Sequence, residues 1–238
     1  MKNYMDLHTH TIDSGHGYST LQENIAEAQR MGLKYLGLSE HGPAMPGGPH
    51  VYYFTNYKCI PRIHGDLTLL CGIEANILDD KGGLDLEDRL LERMDYVIAS
   101  MHPPCVAPGN REYNTRASIR AMENPYVKIL GHPDDSRYPL DYDELVRAAK
   151  AEGVALEINN SSLNPQSPRP GAAQNMVVLL EACMKHQSPI VLGTDSHISY
   201  TVGKIDSALE IIRKVQFPEE LILNYKADSI SQLINIKL

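Results

Sequence analysis

The stretch Tyr4-Met5-Asp6-Leu7-His8-Thr9-His10 decides how the rest of the chain is read. A short apolar run opens it and two histidines, one residue apart, close it. Side chains alternate along a strand, so His8 and His10 project together from the strand end, with Asp6 one step deeper on the same side. Similar endings recur at Ser39-Glu40-His41, Ala99-Ser100-Met101-His102, Leu130-Gly131-His132 and Gly193-Thr194-Asp195-Ser196-His197. Scattered surface histidines show no such bias toward the ends of apolar runs, and structural zinc more often uses paired cysteines at short spacing. The pattern points to one metal site assembled from many strand ends, and so to a hydrolytic enzyme.

The apolar runs occupy residues 4–7, 35–38, 67–73, 96–99, 127–130, 155–158 and 190–192, with starts about 30 residues apart, the length of a strand, a crossover helix and the next strand. This predicts seven βα units in series. Thr20-Leu21-Gln22-Glu23 reads as a capping box opening an amphipathic helix that ends at Gly32, and a second helix over residues 141–152 is stopped by Gly153. Two more are expected at about residues 171–186 and 203–215. Stretches 42–52 and 103–113, rich in proline and glycine, each follow a histidine. Such repeats fit an open doubly wound sheet or a closed barrel. Seven strands about 4.8 Å apart in an open sheet would hold the first and last nearly 30 Å apart, yet candidate ligands come from both. Ring closure brings His8 and Asp195 together, so the expected fold is a TIM-like α/β barrel with its site at the C-terminal ends of the strands.

At 238 residues and 26.5 kDa, with 42% hydrophobic residues, the chain can bury a full core as a single domain, residues 1–238. Its first residues lack the apolar segment of a secretory signal, and no stretch approaches the roughly 20 apolar residues that span a bilayer, so a cytoplasmic protein with no membrane partner is expected. Cys59, Cys71, Cys105 and Cys183 stand far apart, which disfavours a disulfide framework or a thiolate zinc site. The formal charge of −8 argues against a broad basic surface for long nucleic acid, because that binding works through lysine and arginine displacing counterions. Bound divalent cations reverse the sign locally, so an acidic chain can still attract a small phosphate.

Glu74, in Gly72-Ile73-Glu74-Ala75, is the acidic residue at the end of the third run, and a carboxylate can bridge two cations. Asp195 and His197 repeat the spacing of His8 and His10. His16 lies in the loop Ser14-Gly15-His16-Gly17, where judged singly it reads as a solvated histidine. His50, His64 and His186 lack strand-end context and are set aside. The sixth run ends in the polar tip Asn159-Asn160-Ser161-Ser162, suited to orienting ligands or substrate without binding metal. Of the basic residues Arg111, Arg137, Arg169 and Lys204, Arg169 follows that tip and Lys204 follows the seventh run, which makes these two the substrate-binding candidates.

The ordered series Asp6-x-His8-x-His10, Glu40-His41, Gly72-Ile73-Glu74, Ser100-x-His102, Gly131-His132-Pro133 and Gly193-Thr194-Asp195-Ser196-His197 resembles the PHP (polymerase and histidinol phosphatase) superfamily over essentially the whole chain. Within it, Ala155-Leu156-Glu157-Ile158-Asn159-Asn160-Ser161-Ser162 and Gly72-Ile73-Glu74-Ala75-Asn76 are similar to the YcdX-like phosphatase family. The resemblance implies a distorted (βα)7 barrel holding three zinc or similar ions. His8, His10, Glu74 and Asp195 would bind the first, Glu74, His102 and His132 the second, and His16, His41 and His197 the third. Glu40 departs from the pattern, since the family more often has aspartate there.

Nitrogen and oxygen ligands without thiolate suit zinc, manganese or iron, with zinc the first choice. The expected activity is hydrolysis of a phosphomonoester of a small metabolite by metal-bound hydroxide, with no covalent intermediate. Asp195 is the catalytic candidate beyond the metal-activated water. Three alternatives compete with this reading. A phosphodiesterase or exonuclease would want a basic stripe or an aromatic platform, yet Trp is absent and Phe occurs twice. A non-catalytic metal-binding module would be expected to have lost some ligands. Deacetylase or amidohydrolase chemistry uses a similar His-x-His in related barrels, but Glu74 and the third histidine set favour phosphate.

Overall fold

The computed structural model describes residues 2–235, so residues 1 and 236–238 of the expected 1–238 unit lie outside the described residues. Strands β1 (Met5–Asp6), β2 (Tyr35–Leu38), β3 (Ile63–His64) and β4 (Leu67–Cys71) form one sheet in the order β1-β2-β4-β3. Strands β5 (Ile73–Asn76), β6 (Val97–Ser100), β7 (Val127–Leu130), β8 (Ala155–Asn159) and β9 (Ile190–Gly193) form a second sheet in chain order. All pairings are parallel except that of β3 with β4. Parallel pairing requires crossovers that cover the sheet faces, and it explains why the strands read as nearly unbroken apolar runs.

The helices are α1 (Leu21–Arg30), α2 (Val51–Thr55), α3 (Asp88–Leu91), α4 (Arg111–Met122), α5 (Tyr142–Glu152), α6 (Ala172–His186) and α7 (Asp206–Lys214). The capping box opens α1, with Thr20 accepting from the Glu23 amide while the Glu23 carboxylate accepts from the Thr20 amide at 2.7 Å. Asp141 caps α5, and Gly153, at φ 69°, ends it in the left-handed conformation that glycine takes without penalty. Among the described residues no helix is long and apolar enough to cross a membrane.

Successive strand residues alternate between two apolar clusters. Leu36, Leu38, Leu69, Val97, Leu156 and Leu192 pack in the larger one with residues of the helices. Tyr35, Leu70, Ile98, Ile129, Ala155 and Val191 join Met5 and Leu7 in the smaller one, which draws on strands of both sheets. The sheets also meet along two seams. Thr9 and Ser196 form a parallel bridge just past β1 and β9, with the His10 amide donating to the Ser196 carbonyl at 2.8 Å. His41 and Glu74 form another, where the Glu74 amide donates to the Glu40 carbonyl at 3.0 Å and Gly42 donates to Glu74 at 2.8 Å.

Two expectations need correction. Residues 67–73 are not one strand: the run divides at Gly72 into β4 and β5, which belong to different sheets. At the division the buried Tyr96 ring lies so close that a Cβ on Gly72 would stand 2.5 Å from it, which calls for glycine there, and the Tyr57 hydroxyl donates to the Gly72 carbonyl at 3.0 Å. The intervals after β2 and β5 also lack full crossover helices, holding only the five-residue α2 and the four-residue α3. Proline and glycine punctuate 42–49 and interrupt helical hydrogen bonding there.

Because the ring cannot yield without disturbing the core, Gly72→Ala is expected to lower stability by about 1–3 kcal/mol in urea denaturation, the usual cost of overpacking. An unchanged midpoint would show that a Cβ is accommodated beside Tyr96.

Candidate metal centre

Glu74 lies fully buried where the strand ends converge. Its Oε1 is 3.2 Å from His8 Nε2, 2.9 Å from His132 Nε2 and 3.3 Å from His102 Nε2. Its Oε2 is 2.6 Å from His41 Nδ1 and 3.5 Å from His10 Nε2. Asp195 Oδ1 approaches the first histidine pair from β9, 3.2 Å from His10 Nε2 and 3.7 Å from His8 Nε2. His16 and His197 stand together with Nε2 atoms 2.9 Å apart, and the His16 ring stacks on both His41 and His197. The structure thus brings all nine candidate ligands into one cluster, including His16, whose loop position alone gave it no claim.

Many of these close approaches are not hydrogen bonds. His8 Nε2, His10 Nε2, both His41 nitrogens and Glu74 Oε2 are buried without a hydrogen-bond partner. Each such group costs about 1–3 kcal/mol when left unpaired, so a gathering of them calls for a shared partner. Two donors bound at about 2.1 Å to one tetrahedral ion stand about 3.4 Å apart. The 3.2 Å separations of His102 Nε2 from His132 Nε2, of His8 from Glu74 and of His10 from Asp195 are of that size. Three sets of donors gather: His8, His10 and Glu74; His41, Glu74 and His102; and His10, His41 and His197. The residues present therefore fit divalent ions. His41 reaches toward both Glu74 and His197, so it belongs to two sets where the resemblance implied one.

The second nitrogen of most rings is held from behind, which orients the ring and leaves Nε2 facing the centre. His8 Nδ1 donates to Glu157 at 2.7 Å, His102 Nδ1 to Asn76 Oδ1 at 2.7 Å, and His10 Nδ1 to Ser14 Oγ at 3.1 Å. His16 and His197 use the backbone carbonyls of Ser14 and Asp195. Ser14 in turn donates to Glu40, whose carboxylate also receives the Thr11 hydroxyl at 2.5 Å and the Thr11 amide at 3.0 Å. The longer arm of Glu40 is thereby occupied, and it reaches His10 through Ser14 without displacing His41. Sequence reasoning singled out neither Ser14 nor Glu157 as a functional residue, although a charged side chain inside the apolar run 155–158 is a readable signal.

Burial alone would depress His8, but Glu157, Glu74 and Asp195 outweigh it and hold its pKa well above the ordinary histidine value. His10 is pushed the other way, by burial and by His41 and His197. Burial opposes ionisation of Glu74 and Asp195, yet the surrounding histidines, and Arg169 beside Asp195, hold both well below the usual carboxylate range. Two candidate ligands also carry backbone strain, His132 at φ 27° and Asp195 at φ 51°, a cost that tends to concentrate at functional sites.

A cleft of about 470 Å³ opens on the cluster, with Met45, Pro46, Pro103 and Pro104 on its walls beside Arg137 and Arg169. Arg169 is nearly buried, 2.9 Å from Asp195 Oδ2, and donates to Asn159 at 3.3 Å and Ser162 at 3.1 Å. Lys204 is not brought here. It is exposed and its charge acts on Glu27 of α1, because the turn at Gly203, at φ 74° and tied by its amide to Asp6, carries the chain away. Arg111 lines a separate groove with Tyr142. His50, His64 and His186 make local contacts elsewhere, with the Tyr52 amide, the Pro61 carbonyl and Asp143.

A family model described as PHP domain matches residues 6–161. A probable phosphatase of Clostridium novyi (strain NT) is 47% identical over 94% of this chain and 91% of its own length. A probable phosphatase of Clostridium acetobutylicum is 46% identical over 100% of this chain and 96% of its own. Among solved structures, the histidinol phosphate phosphatase of Lactococcus lactis subsp. lactis Il1403, complexed with zinc, L-histidinol and phosphate, is similar at TM-score 0.60 and 20% identity, covering 91% of this chain and 95% of that one. The superfamily resemblance carried by the ordered motifs is borne out.

Zinc at about 100 times its dissociation constant is expected to raise the unfolding free energy by about 2.7 kcal/mol, read as a higher thermal midpoint that chelation reverses. A midpoint indifferent to both zinc and chelator would contradict a metal centre.

Proposed function

Since this chain belongs to the PHP domain family, we propose that it is a metal-dependent phosphomonoesterase acting on a small phosphorylated metabolite at a site for three divalent ions, zinc first among them. The observation that carries this reading is the buried Glu74 carboxylate, ringed by five imidazoles, of which His8, His10 and His41 turn toward it nitrogens that find no hydrogen-bond partner. The three donor sets support three ions, and the predominance of imidazole nitrogen among the donors supports zinc, with manganese or iron as lesser choices. When bound there, such ions would activate water and neutralise phosphoryl oxygens, the help that phosphoryl transfer most needs.

The chain's own residues do the rest. Glu74 offers one oxygen toward His8, His102 and His132 and the other toward His41 and His10, so it is placed to bridge two ions. Asp195 divides its oxygens between the histidines and the Arg169–Asn159 pair. Held ionised in this way, Asp195 serves as a ligand and not as the acid that protonates the leaving group. Arg169 presents a fixed positive charge at the cleft, supplied by the polar tip of β8 and suited to a phosphate oxygen. The walls of Met45, Pro46, Pro103 and Pro104 suit a compact substrate better than an extended strand of nucleic acid.

We read the two sheets as one distorted (βα)7 barrel in a single domain. The Thr9–Ser196 and His41–Glu74 bridges and the apolar cluster shared by strands of both sheets support it.

Purified protein is expected to hydrolyse p-nitrophenyl phosphate, to lose that activity on chelation and to regain it with zinc. His10→Ala and Glu74→Ala should each lower kcat/KM by at least about a hundredfold, the cost of losing one preorganised electrostatic contact, while the circular dichroism spectrum is retained. Turnover that survives stripping, or wild-type rates in either variant, would refute the assignment. Set against labelled oligonucleotides, small sugar phosphates should be the better substrates, and preferential shortening of the oligonucleotides would reverse that conclusion.

A further inference from the structure

We infer that Glu157 is a positioning residue that fixes two ligands at once, the ring of His8 and the backbone of His132, and that only a carboxylate can do this. The inference rests on the metal-site reading above and extends it to a residue outside the cleft lining. Glu157 lies on β8 between the apolar Leu156 and Ile158, with its side chain 1% exposed. Its Oε1 accepts from His8 Nδ1 at 2.7 Å. Its Oε2 accepts from the His132 amide at 2.7 Å and from Asn159 Nδ2 at 3.1 Å. His8 follows β1 and His132 follows β7, so a single side chain ties ligands delivered by strands of different sheets.

Two further observations show that the surroundings are built around this carboxylate. His132 has φ 27°, a conformation that costs an ordinary residue about 1–3 kcal/mol and persists only where its surroundings determine it, and its amide is the group bonded to Glu157. On the neighbouring strand β9, Gly193 leaves the space the carboxylate needs, because a Cβ there would stand 1.9 Å from Oε1.

The donor count decides why the residue must be a carboxylate. Three donors converge on its two oxygens, and an ionised carboxylate can accept all of them. Glutamine has the same shape but one acceptor oxygen and an amino group. With that amino group toward His132 and Asn159, donor meets donor. With it toward His8, Nδ1 must accept, the ring proton moves to Nε2, and the lone pair that faces Glu74 and Asp195 is lost. Either orientation disables a ligand without changing the volume of the core.

The test compares wild type, Glu157→Gln and Gly193→Ala for zinc affinity by chelator competition, with circular dichroism and the urea midpoint recording that each is folded. Glu157→Gln is expected to bind zinc about 10- to 100-fold more weakly, the usual cost of losing a group that orients a metal-binding histidine. Its turnover of p-nitrophenyl phosphate should return as free zinc is raised by a similar factor, with KM close to wild type. Gly193→Ala keeps the carboxylate but pushes it aside, and should weaken zinc binding in the same direction; if Glu157→Gln fails to fold, this variant decides. Wild-type zinc affinity in a folded Glu157→Gln, or failing that in Gly193→Ala, overturns the inference and leaves the metal site standing. A wild-type protein that binds no zinc overturns the metal reading and this inference with it.

Discussion

A carboxylate with no exposure to water cannot remain ionised by itself, since moving such a charge into the interior costs several kcal/mol even after the protein relaxes. Glu74 is in that position, and the molecule's answer is to bring five imidazoles from four other chain segments within 3.5 Å of its oxygens. The same residue is also part of the architecture. Its backbone forms the bridge with His41 that joins the two sheets, and the other seam, Thr9 with Ser196, runs between His8 and His10 on one side and Asp195 and His197 on the other. Each seam thus brings two sets of candidate ligands side by side, so the fold cannot come together without assembling the site. The strain stored at His132 and Asp195 is consistent with a cluster whose geometry is imposed by this assembly.

The acidic balance of the chain fits this arrangement. A net charge of −8 would repel an anionic substrate at long range, so attraction must come from charges confined to the cleft, which are Arg137, Arg169 and the ions that the histidines can hold. Of these Arg169 is the more rigid, since three side chains fix its guanidinium, whereas Arg137 pairs with Asp135 at the cleft edge.

Much of this was legible in the sequence because the site's geometry is simple on each strand. Alternation past β1 puts His8 beside His10, the same spacing flags Asp195 and His197, and repetition about every 30 residues says that the strands are parallel neighbours. What was not legible depends on residues distant in sequence. The packing of the Tyr96 ring against Gly72, where the run 67–73 divides, is not announced by anything within that run. His16 sits in a glycine-flanked loop and gains its place only when Tyr18 bonds to the His197 carbonyl and brings the two loops together. Lys204 does not line the cleft, because chain order past a strand does not fix direction once a left-handed glycine intervenes. Glu157 could have been found: one acid inside an apolar strand must be paired, and the histidines were already in view.

Whether the buried Glu74 is shared between two ions is read from anomalous diffraction at the zinc edge, recorded from crystals of the zinc-loaded protein. Two anomalous peaks are expected within about 2.0–2.2 Å of the Glu74 carboxylate oxygens, with His8, His10, His102 and His132 completing their coordination. A zinc-loaded crystal with Glu74 buried among the histidines and no peak in contact with it would mean that Glu74 binds no metal.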